Sequence, residues 1–222
     1  MNCWTILRQT QNKKMSSKVQ LAVQKILKDF GLDDVVGQDL TKLVYARGLV
    51  YRELPMSGCE GRIVFPFDGL RAGRGNKAVI TVNSGTRSKA RKRFSIAHEL
   101  GHFELGHCVT HFEDEMSLNY FRKGYQESEA NEFASELLMP TDYFLRAIAG
   151  RRFSPTLVNE VSGMFGTSLS SVLIKFVDYV PIPLRVAYLQ DGKVLWHRAR
   201  GGPLTGNEHS FKTATNELKV MW

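Results

Sequence analysis

The sequence places His98-Glu99-Leu100-Gly101-His102 in one short run, two imidazoles four residues apart with a carboxylate beside the first. On a helix the two histidines stand one turn apart on a single face and can converge on one metal ion. Glu99 lies about 100° round the same helix, where its carboxylate can reach a water bound to that metal. Two histidines and a carboxylate suit zinc, which in catalytic sites takes three protein ligands and keeps a fourth position open. The chemistry such a set performs is hydrolysis: the metal lowers the pKa of its bound water to about 7, and Glu99 serves as general base.

A third protein ligand is required. The extended pattern H-E-x-x-H-x-x-G-x-x-H fails, because Leu105 and Cys108 stand where it needs Gly and His. The alternative is a carboxylate from a second helix, and Gln126 to Leu138 offers Glu127, Glu129, Glu132 and Glu136. Ala130, Phe133, Ala134, Leu137 and Leu138 must form the buried face of that helix. Glu127 shares a face with Ala130 and Asn131, so Glu127 is the preferred ligand and Asn131 a candidate support for a ligand histidine. Glu129, turned about 200° away from Glu127, is the second choice, and Glu132 and Glu136 are expected in solvent. His107, His111, Tyr120 and Tyr125 lie in the neighbourhood, and each is read as a solvated residue or a packed ring.

Helical periodicity spans Ser17 to Phe30, Asp39 to Arg47, Ser88 to Gly106, Gln126 to Leu138, Asp142 to Ala149, Pro155 to Gly163 and Ser168 to Tyr179. Strands are expected at Leu49 to Leu54, Gly61 to Phe67 and Ala78 to Asn83, and a hairpin at Leu184 to His197 turning through Gln190-Asp191-Gly192. This is an α+β chain, with a small mixed sheet packed on an active-site helix bundle. Four regions follow: a basic extension over 1–16, a domain over 17–150 that carries the metal motif, a helix-turn-helix-like segment with the hairpin over 151–200, and a polar tail over 201–222. Met15 offers an alternative start.

The runs Arg93-Phe94-Ser95-Ile96-Ala97-His98-Glu99-Leu100-Gly101-His102 and Glu127-Ser128-Glu129-Ala130-Asn131-Glu132-Phe133-Ala134-Ser135-Glu136-Leu137-Leu138-Met139-Pro140 resemble the ImmA/IrrE family of zinc metallo-endopeptidases. The resemblance covers roughly residues 18 to 198. It implies that 17–150 is a zinc metallopeptidase domain with a minimal gluzincin fold, a zinc ion held by His98, His102 and the helix glutamate, and Glu99 as catalytic base. It also implies a narrow substrate range, typically a helix-turn-helix repressor encoded nearby whose cleavage relieves repression. Strand Val79 to Asn83 matches the family's arrangement and, at a sheet edge, would bind substrate as an added strand.

Composition narrows the alternatives. The chain has 222 residues, 43% hydrophobic and 23% charged, which excludes a disordered tail, a collagen and a disulfide mini-scaffold. Cys3, Cys59 and Cys108 show no paired spacing, and for Cys59 and Cys108 small buried or half-buried thiols are the expectation. Without a span or a secretory signal the expected location is cytoplasmic. The net charge of +8 invites nucleic acid. Six cations, however, sit in the acid-free first 28 residues and five in Arg87 to Arg93, while Ser168 to Tyr179 carries one cation, Lys175, and one anion, Asp178. Direct nucleic-acid binding is therefore disfavoured. Two rival functions stay open: a DNA-binding regulator with a structural or vestigial metal site, and a non-proteolytic partner in a toxin-antitoxin pair.

Overall fold

Val19, Val23 and Ile26 recur at helical spacing, and in the structure they form the buried stripe of α1 (Ser17–Phe30), which Gly31 ends with a φ of 80°. The computed structural model describes residues 15–31, 37, 39–65, 77–107, 116–212 and 216–222, with the start of the helix opening at Met116 as backbone only. Residues 1–14 of the expected 1–16 extension, Cys3 among them, together with Cys108, His111 and the Tyr120 side chain, lie outside these described residues, whereas Met15 packs against the core and Ser16 bonds to Glu129 and Glu132. The chain divides into two units, 15–140 with 165–167, and 141–164 with 168–222.

The first unit continues with α2 (Thr41–Ala46), β1 (Val50–Leu54), β2 (Gly61–Val64), β3 (Val79–Asn83), α3 (Lys89–Glu104) and α4 (Met116–Leu138). The three strands form a mixed sheet in the order β1-β3-β2, with β1 parallel and β2 antiparallel to β3. Val79 to Asn83 is therefore the middle strand, and the condition on which it would bind substrate as an added strand is not met. Ile80 and Val82 are fully buried, and an apolar strand of this kind belongs in the middle of a sheet. Among the described strands the edge on the α3 side is β2. Asn83 N–H donates to Glu60 O, so the hydrogen-bonded pairs fall at Glu60, Arg62 and Val64, and the main-chain groups of Gly61 and Ile63 point away from β3.

Ser88 caps α3 by accepting from Arg91 N–H at 3.3 Å, and the helix runs on to Glu104. Its apolar residues Ile96, Ala97 and Leu100 join Phe133, Ala134 and Leu137 of α4 in one core with Val82 and Ile80. The helices approach closely at Gly101, where a β-carbon would stand 2.9 Å from Phe133 Cδ1 and 3.3 Å from Ala130 Cα. Arg47 closes the far end of α3 with two charge-assisted bonds to Glu104, at 2.6 and 2.8 Å. Arg93 donates through Nη1 to the carbonyls of Phe165 and Gly166, both at 2.7 Å.

The second unit holds α5 (Thr141–Ile148), α6 (Pro155–Phe165, whose last residue belongs to the first unit), α7 (Leu169–Tyr179), β4 (Leu184–Gln190), β5 (Lys193–Arg200), β6 (Glu208–Lys212) and β7 (Asn216–Met221). The hairpin turns at Asp191 and Gly192, both with positive φ. Residues 201–222, expected to be a loose polar tail, instead supply two strands of an antiparallel sheet ordered β5-β4-β7-β6. The reason is alternation: Leu218 and Val220 point inward with Leu184 and Val186, and their polar neighbours point out. Phe153 anchors the corner, its ring 5.1 Å from both Phe176 and Trp222.

A DNA-reading role for the helix-turn-helix-like segment, disfavoured by its charge, meets a second obstacle in its burial. No residue of α7 is exposed, and Lys175, its one cation, is 3% accessible with Nζ 5.1 Å from the Tyr179 ring centre. Strands β4 and β5 pack on this helix. A recognition helix must present side chains to a groove, and α7 is spent on the core of its own unit.

Candidate metal centre

Helix α3 carries His98 and His102 on the face turned toward α4, and α4 brings Glu127 to meet them. His98 Nε2 lies 3.1 Å from His102 Nε2 and 3.1 Å from Glu127 Oε2, and His102 Nε2 lies 3.5 Å from Glu127 Oε1. Among the described residues these three form a group whose donor atoms all lie within 4.8 Å of one another. Two ligand atoms, each about 2.05 Å from a tetrahedral ion, stand about 3.3 Å apart. The observed separations thus fit a small tetrahedral cation such as zinc, and the donor set of two imidazole nitrogens and a carboxylate has the right chemistry.

The nitrogens turned away from this point are also engaged. His98 Nδ1 lies 3.0 Å from Asn131 Oδ1, so the ring donates to the amide oxygen and leaves Nε2 with a lone pair. His102 Nδ1 lies 3.1 Å from His107 Nδ1, and His107 Nε2 lies 3.1 Å from Glu129 Oε2. Burial holds the His102 imidazole down to about 4, with His98 acting in the same direction, so the ring is neutral and able to ligate at physiological pH. Burial lowers His107 as well.

Glu99 sits on the other side of His98, 7% exposed, between α3 and β2. Burial raises its pKa to about 7, the charge of Glu127 adds to this, and the main-chain N–H of Ile63 opposes it by donating to the carboxylate. A cation held by His98, His102 and Glu127 acts against that rise and favours the carboxylate form. Gly61 makes room for it: a β-carbon there would stand 3.2 Å from Glu99 Oε1 and 3.4 Å from Ser95 Cβ.

Glu129, the second choice for the third ligand, is directed elsewhere. It is 5% exposed and accepts from His107, from Tyr125 Oη at 3.1 Å and from Ser16 Oγ at 3.4 Å. Glu132 is half-buried and accepts from Ser16 N–H, and Glu136 is buried, so neither stands in open solvent as expected. Tyr125 is 62% exposed yet bonded to Glu129. Cys59 is an exposed free thiol, contrary to expectation, because it lies in the loop between β1 and β2.

His107 is the residue that spacing did not single out: it is 3% exposed, neither solvated nor simply packed. A signal for it existed. Gly106 has φ +63° and ends α3 in a Schellman turn, with Gly106 N–H bonded to Phe103 O and His107 N–H to His102 O. That turn brings the residue after the glycine back against the residue five before it, which here is His102.

Among solved structures, a Mycobacterium tuberculosis transcriptional regulator is similar, with a TM-score of 0.58 and 14% identity over 99% of this chain and 78% of that one. At that identity the likeness shows a shared fold. Comparison with curated proteins returns no match. Residues 64–176, which contain α3, α4 and the three converging donors, match the family model described as the IrrE N-terminal-like domain, Peptidase M78, and the chain belongs to that family.

Proposed function

We propose that this protein is a zinc-dependent endopeptidase that hydrolyses a peptide bond in a specific protein substrate. The observation that carries the reading is the convergence of His98, His102 and Glu127 with Glu99 buried beside them. Zinc would supply Lewis-acid polarisation of the scissile carbonyl and a water acidic enough to attack near neutral pH. His98, His102 and Glu127 would hold it. Glu99 takes a proton from the attacking water and later returns it to the leaving amine. Its carboxylate is aimed by Ile63 N–H and lies against Gly61, and its burial limits access of bulk water.

The substrate backbone would lie along β2 rather than β3. Strand β2 is the edge of the described sheet nearest Glu99, and its register turns the main-chain groups of Gly61 and the carbonyl of Ile63 outward, the Ile63 N–H being held by Glu99. The substrate class we favour is a helix-turn-helix repressor encoded nearby, in keeping with the family resemblance. The rival in which this chain itself reads DNA through α7 is disfavoured by the burial of that helix.

The test is removal and return of metal. Protein stripped with a chelator should lose cleavage of the neighbouring repressor, and stoichiometric Zn2+ should restore it. Cleavage undiminished in metal-free protein would refute the proposal.

A further inference from the structure

We infer that His107 and Glu129 are positioning residues for the metal, forming a relay that fixes the proton of His102 on Nδ1 and so turns its Nε2 lone pair toward His98 and Glu127. The inference rests on the metal reading above but concerns a property His102 has before any metal binds.

The direction of the relay follows from its ends. Glu129, as a carboxylate, can only accept, and it already accepts from Tyr125 and Ser16. His107 Nε2, 3.1 Å from Glu129 Oε2, must therefore donate. A neutral imidazole that donates from Nε2 has only a lone pair on Nδ1. His102 Nδ1, 3.1 Å from that lone pair, must carry the proton, and its Nε2 is then free to ligate. All three groups are at most 5% exposed, so solvent does not stand in for a missing partner. The Schellman turn at Gly106 holds the relay in register by bonding His107 N–H to His102 O while their rings meet. Both histidines are braced from α4, His98 directly by the exposed Asn131 and His102 through the buried pair His107 and Glu129.

The experiment uses the full chain, metal-free and labelled with 15N at histidine, together with Zn2+ affinity by chelator competition. Ring 15N–1H correlations of the wild type should show His102 protonated at Nδ1 before metal is added; protonation at Nε2 would overturn the relay. His107→Phe, which keeps ring bulk, should yield mixed His102 tautomers and roughly 10- to 100-fold weaker Zn2+ binding, the usual effect of removing an outer partner of a ligand histidine. A folded His107→Phe protein with wild-type Zn2+ affinity would overturn it as well. Should the wild type bind no Zn2+ while His102 keeps its Nδ1 proton, the relay stands and the metal reading falls.

Discussion

Gly61 on β2 lies against Glu99 on α3, so close that a β-carbon at residue 61 would stand 3.2 Å from one carboxylate oxygen and 3.3 Å from Cγ. The edge strand and the proposed general base are thus fitted to each other. Alanine at 61 requires Glu99 to yield by a few tenths of an ångström, and valine leaves no room. We expect Gly61→Ala to fold and to bind Zn2+ as the wild type does, with kcat lowered roughly tenfold, because small displacements of a catalytic group carry rate penalties of this kind. Steady-state kinetics beside metal content checks this; unchanged kcat would show that the position of Glu99 at β2 is unimportant.

Gly101 performs the equivalent service between the helices. Overpacking costs ~1–3 kcal/mol and the gain in helix propensity returns about 1 kcal/mol, so Gly101→Ala should destabilise by up to ~2 kcal/mol. The added methyl meets Phe133, so α4 should move out, taking Glu127 with it, and Zn2+ affinity should fall. Phe133→Leu in the same chain should recover part of both losses, a coupling that denaturation and metal titration of the four proteins would reveal.

The histidine pair was legible because four residues is one helical turn, and Glu127 and Asn131 because they share a face that the apolar spacing of Ala130, Phe133 and Ala134 defines. The position of β3 was not, since strand order depends on long-range pairing that no local pattern reports. Strands β6 and β7 were hidden by polar composition: only Phe211, Leu218 and Val220 betray alternation across residues 208–221. His107 escaped for a different reason. It lies beyond the helix that carries its partner, and only the glycine turn before it returns it to His102.

Glu127 and Glu129, two residues apart, should separate cleanly on substitution. Glu127→Gln removes a proposed ligand and should abolish stoichiometric Zn2+ retention after desalting. Glu129→Gln should still reach one Zn2+ per chain at saturating metal. Atomic absorption on the two proteins decides, and loss confined to Glu129→Gln would make Glu129 the ligand.

Arg47 and Glu104 form a two-bond pair in which the Glu104 side chain is 7% exposed and that of Arg47 22%. Truncation to Arg47→Met leaves a nearly buried carboxylate alone. The cost should be about 2–3 kcal/mol, somewhat under the ~3–5 kcal/mol typical of fully buried pairs. Arg47→Lys should recover only part of it, since an ammonium cannot reproduce the fork. Urea denaturation provides the measurement.

Lys92 donates to Glu53 at 2.6 Å and, followed by Tyr51, holds that carboxyl below its ordinary value. A lowered folded pKa means the stabilisation is present above the ordinary Glu value of about 4.3 and is lost as pH falls through the folded one. Lys92→Met should raise the Glu53 midpoint in a 13C carboxyl titration. The stability gap between variant and wild type should be open at neutral pH and close in acid; a gap independent of pH would contradict the assignment.

Glu99 is the proposed base of a zinc peptidase, and Glu99→Gln tests that role most directly because amide replaces carboxylate with little change of shape. Zinc-loaded wild type and variant, matched for fold and metal content, are incubated with the neighbouring repressor and the products weighed by mass spectrometry. The wild type should cut at a defined bond, and the variant should be slower by about 10²–10⁴-fold. Equal cleavage by the two proteins would contradict the account.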